Sequence, residues 1–208
     1  GFGDAAISAS VGGGGVGRVY LYFGSLAGLP AVADARITGA LPNGRFGFSL
    51  ASLGDFNGDG CNDLAVGGLD ADSTGRADIY LGRAFWFDRT EADVGTGAEL
   101  RIVGGAPFAF YGNPLLGAGD VNGDGYSDLA AYAGETGDEV QIVYGHDLAL
   151  MEDGVSPQTL ASPAAADVRF QQPDFAGSPY AFQFGWFALA GEDFDCDGFS
   201  DLAVGASE

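Results

Sequence analysis

Asp55-Phe56-Asn57-Gly58-Asp59-Gly60-Cys61-Asn62-Asp63 decides how the rest of this chain is read. Oxygen-bearing side chains stand at positions 1, 3, 5 and 9. A glycine stands at position 6, where a tight turn needs unusual backbone angles. Carboxylate and amide oxygens at that spacing suit a hard cation such as calcium, which takes several oxygens in a flexible cage. The frame occurs twice more, as Asp120-Val121-Asn122-Gly123-Asp124-Gly125-Tyr126-Ser127-Asp128 and as Asp193-Phe194-Asp195-Cys196-Asp197-Gly198-Phe199-Ser200-Asp201. Aspartate-rich turns without a cation are disfavoured. Carboxylates about 5 Å apart repel by roughly 0.8 to 3 kcal/mol per pair at effective dielectrics of about 80 to 20, so several facing one point call for a counter-charge. An EF-hand needs a bidentate glutamate at position 12 and flanking helices. Position 12 here is Val66, Ala131 or Val204, and the flanks have strand character, so the EF-hand is rejected.

The repeat is longer than the loop. The first aspartates, Asp55, Asp120 and Asp193, lie 65 and 73 residues apart. An aromatic-glycine pair precedes each loop: Phe46-Gly47, Tyr111-Gly112 and Phe184-Gly185. A short apolar run follows each: Leu64 to Gly67, Leu129 to Tyr132 and Leu202 to Gly205. Gly1 to Ala9 aligns with Gly198 to Ala206, so the chain opens inside a copy that lacks positions 1, 3 and 5. A long period with strand-like content predicts a propeller. The expected fold is all-β, with blades of four short antiparallel strands. The units are approximately 1–40 (partial), 41–104, 105–183 and 184–208 (partial). Inner strands are expected over Phe46 to Ser52, Tyr111 to Ala118 and Phe184 to Gly191. About three blades is too few for a ring of the usual four to eight. The sequence therefore reads as part of a longer chain, or as a unit that self-associates through open blade edges. Two long connections, Arg83 to Ala98 with Phe85-Trp86-Phe87 and His146 to Ala166, fall between third and fourth strands.

The composition is that of a folded protein, with 47% hydrophobic and 12% aromatic residues among 208. No run of about 18 apolar residues predicts a membrane span. The formal charge is −21 and all eight basic residues are arginine, which argues against nucleic acid, a ligand that needs a basic footprint. Ten of the 29 acidic residues stand in the three loops. Cys61 and Cys196 fall inside loops, with no C-x-x-C and one histidine in the chain, so a zinc frame is not indicated. Loops two blades apart place these cysteines beyond disulfide reach.

Phe-Gly, a small-apolar strand, D-x-[ND]-x-D-G-x-x-D and L-A-V-G-[GA] together resemble the FG-GAP repeat of the integrin α-subunit propeller, over essentially the whole chain. In that family each loop joins the first and second strands of a blade and binds calcium. The resemblance implies three structural calcium sites. Asp55, Asn57, Asp59 and Asp63 would supply side-chain oxygens, with the Cys61 carbonyl at position 7. Asp120, Asn122, Asp124 and Asp128 would do the same with the Tyr126 carbonyl, and Asp193, Asp195, Asp197 and Asp201 with that of Phe199. The chain departs from the family in its few repeats, its long insertions, Cys196 at loop position 4, and a Gly-Ala-Pro signature present only as Gly105-Ala106-Pro107. The loops are expected to be separate hairpins that bind independently.

The resemblance implies a non-enzymatic extracellular or cell-surface module for adhesion or recognition, with an unidentified protein or carbohydrate ligand. Family ligands contact the face opposite the loops, where Phe108, Phe110, Tyr111, Tyr180 and Phe182 would stand, most of them as inter-blade core. The alternatives are a lectin-type propeller or the accessory domain of a secreted hydrolase. His146 has Asp147 beside it, but no nucleophile elbow accompanies them.

Overall fold

The computed structural model describes residues 2–10, 15–69, 73–82, 98–134, 138–146, 158–161, 166–171, 184–185 and 189–206. All regular structure among them is β. The first sheet has three antiparallel strands, β1 (Ala5–Ala9), β2 (Arg18–Tyr22) and β3 (Ala35–Thr38), in that order. The second is built from β4 (Ser49–Gly54), β5 (Asp63–Gly68), β6 (Arg76–Tyr80) and β7 (Leu100–Val103). The third contains β8 (Leu115–Gly119), β9 (Asp128–Ala133) and β10 (Glu139–Val143). Before its outer strand the chain forms β11 (Gln158–Ala161), then β12 (Val168–Gln171), which pairs with β10. The last sheet is the pair β13 (Leu189–Glu192) and β14 (Asp201–Val204).

Two features differ from the expected blade. The connection between β10 and β12 contributes β11 to the neighbouring sheet, where it runs parallel to β7 with Gln158 opposite Leu100, giving that sheet five strands. The inner strands also begin later than the apolar pattern predicts. The aromatic-glycine pair is a turn rather than strand, because its glycine takes positive φ: 81° at Gly47, 76° at Gly112 and 74° at Gly185. Each of these glycines donates its N–H to the second strand of its own sheet, at Gly67, Tyr132 and Gly205. Phe85-Trp86-Phe87, Tyr180 and Phe182 lie outside the described residues.

The apolar side chains fill the gaps between successive sheets. Val19, Leu21 and Ile37 pack with Phe46, Val66 and Tyr80. Leu53, Ile79, Leu100 and Ile102 pack with Tyr111, Leu129 and Val143. Ala118, Ala130, Val140 and Ile142 pack with Phe184, Leu202 and Val204. Side chains alternate across a strand, so a sheet buried on both faces needs apolar or small residues throughout. β9 meets this with Leu129-Ala130-Ala131-Tyr132-Ala133, all buried. Each fully buried Ile, Leu or Phe contributes about 1.5 to 3 kcal/mol. The inner strands pack edge against edge, where small residues permit close approach. A Cβ on Gly117 of β8 would run into the Ser52 carbonyl of β4, and one on Gly191 would lie 2.9 Å from Ala118 Cα. This packing brings the β4–β5, β8–β9 and β13–β14 turns to one end of the molecule.

Candidate metal centre

The three frames are those turns. The two strands that flank each one hold its ends at hairpin distance, and three of the loop's bonds to itself recur each time. Oδ1 of the first aspartate accepts N–H groups in the second and third loops but, among the described residues, not in the first. The position-6 glycine N–H donates to Oδ2 of the first aspartate, from Gly60 to Asp55 (2.9 Å), Gly125 to Asp120 (2.9 Å) and Gly198 to Asp193 (3.1 Å). The position-7 N–H donates to Oδ1 of the position-5 aspartate at 2.9 Å in all three, from Cys61, Tyr126 and Phe199. The position-2 N–H donates to Oδ2 of the last aspartate, from Phe56 to Asp63 (2.8 Å), Val121 to Asp128 (2.8 Å) and Phe194 to Asp201 (2.9 Å). Glycine at position 6 takes φ of 87°, 93° and 97°, which a β-carbon would strain.

These bonds turn the carboxylates inward. In the third loop Asp193, Asp195 and Asp197 bring one oxygen each within 4.8 Å of the others. In the first loop Asp55 Oδ1 is buried and accepts no hydrogen bond among the described residues. A buried carboxylate oxygen left without a partner is costly, and a cation would satisfy it. The residues present therefore fit a hard cation. Asp55, Asn57, Asp59 and Asp63, with their counterparts in the other loops, would hold it, and when bound it would supply the counter-charge the loop lacks.

The position-9 aspartates do more than the spacing suggests. Asp63 and Asp128 are 2% and 0% exposed, and each braces two elements. Their second oxygens accept the N–H of Gly82 (2.6 Å) and Gly145 (2.9 Å), just past the third strand of the same sheet. A carboxylate offers about four lone-pair sites, so both roles are compatible with holding an ion. Burial pushes the Asp63 carboxyl up to about 6, the charges of Asp59 and Asp55 add to this, and the Gly82 and Phe56 N–H groups oppose it. Burial likewise raises Asp128.

No family model matches the chain. Integrin alpha-PS2 of Drosophila melanogaster is 33% identical over 98% of the chain, and integrin alpha-5 of Xenopus laevis is 33% identical over 62% of it. Phosphatidylinositol-glycan-specific phospholipase D of Homo sapiens is 39% identical over 55%. The chain has the integrin-like FG-GAP repeat fold. The chain spans 14% of the Drosophila protein, 12% of the Xenopus one and 14% of the human one.

The loops are hairpins on separate sheets, yet they are in contact. Each touches the next through position 7, which the spacing marks only as a backbone ligand. The Tyr126 ring lies on Gly58 of the first loop and the Phe199 ring on Gly123 of the second. The chain itself carries the signal for this contact: both aromatics follow a repeat with glycine at position 4. The two cysteines replace its two halves. Cys61 stands where the other repeats have a ring, and lines an open cleft of about 440 Å³ with Phe2, Leu21, Phe23 and Tyr80. Cys196 stands where the others have glycine, at φ 64°. Both are free thiols. Partial burial and then the Asp59 charge raise the Cys61 thiol.

His146 is exposed, and its Nδ1 lies 3.2 Å from the Tyr144 carbonyl oxygen of the same segment. Its N–H donates to the Phe56 carbonyl, and its ring centroid is 6.3 Å from that of Phe56. Asp147 lies outside the described residues. Of the aromatics expected opposite the loops, Tyr111 is fully buried core, Phe110 is half-buried and Phe108 is 67% exposed.

Proposed function

We propose that this chain is a non-enzymatic, calcium-braced recognition module of the extracellular space or cell surface. Three calcium ions, one per loop, stiffen the end that carries the loops, and a protein ligand is met at the opposite end. The unpartnered Asp55 Oδ1 at the head of a nine-residue oxygen frame carries the calcium reading. Two observations favour the opposite end as the ligand face. Leu41, Phe48 and Phe108 are exposed there. Among the described residues six non-glycine positions take positive φ, and five of them, Asn43, Arg45, Ser73, Phe108 and Phe110, lie in its turns. Strained backbone tends to collect where ligands bind. The resemblance to integrin α subunits favours a protein ligand over a carbohydrate. His146 leans on the backbone of its own segment, which suits a structural residue rather than a general base.

The phospholipase D resemblance favours a second reading, the accessory region of a secreted enzyme. The gene context separates the two: a transmembrane helix with adhesive modules supports the first, and a hydrolase domain the second. Isothermal titration with calcium chloride, run with a solution mass measurement, tests the ion count and self-association together. Three sites per chain are expected, and fewer than two would overturn the calcium reading.

A further inference from the structure

The loops form a row in which each repeat reaches back to the one before through two neighbouring residues. A Cβ on Gly58 would lie 2.5 Å from Tyr126 Cε1, and one on Gly123 would run into Phe199 Cε1, so each ring sits flush on the preceding loop's fourth residue. The next residue adds a hydrogen bond. The Ser127 N–H donates to the Asp55 carbonyl at 2.9 Å, and the Ser200 N–H to the Asp120 carbonyl at 3.0 Å. The serine hydroxyls complete the junction: a Cβ on Gly54 would lie 2.5 Å from Ser127 Oγ, and one on Gly119 would meet Ser200 Oγ. Both ends of every junction are thus next to calcium positions. Position 7 offers the carbonyl ligand of one loop, and the acceptor of the serine N–H is the residue that heads the other.

We propose that calcium binds cooperatively along this row, with Tyr126 and Ser127 positioning the first loop and Phe199 and Ser200 positioning the second. The proposal rests on reading the loops as calcium sites. An ion in the second loop fixes the Tyr126 carbonyl, and with it the ring on Gly58 and the N–H on Asp55. The first loop then has less freedom left to lose when it binds, which raises its affinity with no change of shape. Coupling of this kind is reciprocal. It runs between neighbours, because each loop reaches only the one before it, so the first and third loops feel each other through the second. The ring acts by shape: tyrosine serves one junction and phenylalanine the other, so the hydroxyl is dispensable.

The amides of Gly60, Gly125 and Gly198 report the loops one by one, since each donates to the first aspartate of its own loop. Their NMR shifts, followed while calcium chloride is added to the full chain, give three separate affinities. Asp124→Asn is expected to weaken the first loop about five-fold or more, the lower end of usual coupling. Asp59→Asn is expected to weaken the second loop as well, and the third by less. Tyr126→Ala removes no ligand oxygen, yet should weaken the first loop and, reciprocally, the second, with the third affected least; Tyr126→Phe should restore the first. A merely structural ring would not carry the loss of a ligand in one loop to the affinity of its neighbour. If the glycines titrate but the first loop keeps its affinity in both Asp124→Asn and Tyr126→Ala, the coupling is wrong and the calcium sites stand. If calcium moves none of the three amides, the calcium reading and the coupling fall together.

Discussion

The first and third loops share a nine-residue frame and four internal hydrogen bonds, yet they live in different surroundings. Phe56 at position 2 of the first is fully buried, whereas Phe194 at the same position of the third is 59% exposed. The first loop is followed by a sheet whose Tyr126 ring, Ser127 N–H and His146 N–H all close on it. In the third loop Cys196 occupies the glycine position and is exposed. A loop's own residues therefore set its turn, while its cover comes from the repeat that follows.

The largest expected effect sharpens that contrast. Phe56→Ala should lower the unfolding free energy by about 3 to 5 kcal/mol, as emptied aromatic sites do, while Phe194→Ala should stay within about 0.5 kcal/mol. Equal costs in chemical denaturation would mean that the two loops are covered alike. A smaller effect is expected from exchanging the position-4 residues. Gly58→Cys places a Cβ 2.5 Å from the Tyr126 ring at φ 76°, and should cost about 2 kcal/mol or more from strain and overpacking. The smallest is the reverse change. Cys196→Gly relieves a left-handed residue, worth about 1 to 2 kcal/mol. It also gives the unfolded chain more freedom, worth about 0.4 to 1 kcal/mol. A net gain of up to about 1.6 kcal/mol should appear as a higher melting temperature, and a loss would place Cys196 in a contact of its own.

Much of this was legible in the chain because a repeat states its local rules several times over. The oxygen frame, the glycine at position 6 and the apolar runs of β5, β9 and β14 depend on near neighbours. The inner strands were read too long because the aromatics Phe46, Phe48 and Tyr111 beside Gly47 and Gly112 run on into the apolar residues of β4 and β8, while only the φ of the glycine ends the pattern. β11 left no clear signal, since a fifth strand parallel to β7 depends on how two sheets stand together. The junctions were hidden for a similar reason. Tyr126 and Phe199 earn attention as ligand positions through their carbonyls, and nothing in one loop's spacing tells that the ring reaches the previous loop. The double role of Asp63 and Asp128 was missed because Gly82 and Gly145, which bond them, stand two strands away.

Calcium dependence of thermal stability tests the central claim most directly. Sites of extracellular type bind at roughly 10⁻⁴ to 10⁻³ M, so at about 1 mM calcium each contributes about 0.4 to 1.4 kcal/mol by mass action. Three together give about 1 to 4 kcal/mol, a large share of a marginal fold. For a domain of this size each kcal/mol moves the midpoint by about 2 to 4 °C. Melting at neutral pH in about 1 mM calcium and again in excess EDTA should therefore show a fall of at least about 2 °C, reversed by restoring calcium. An unchanged midpoint would contradict the assignment of these loops as metal sites.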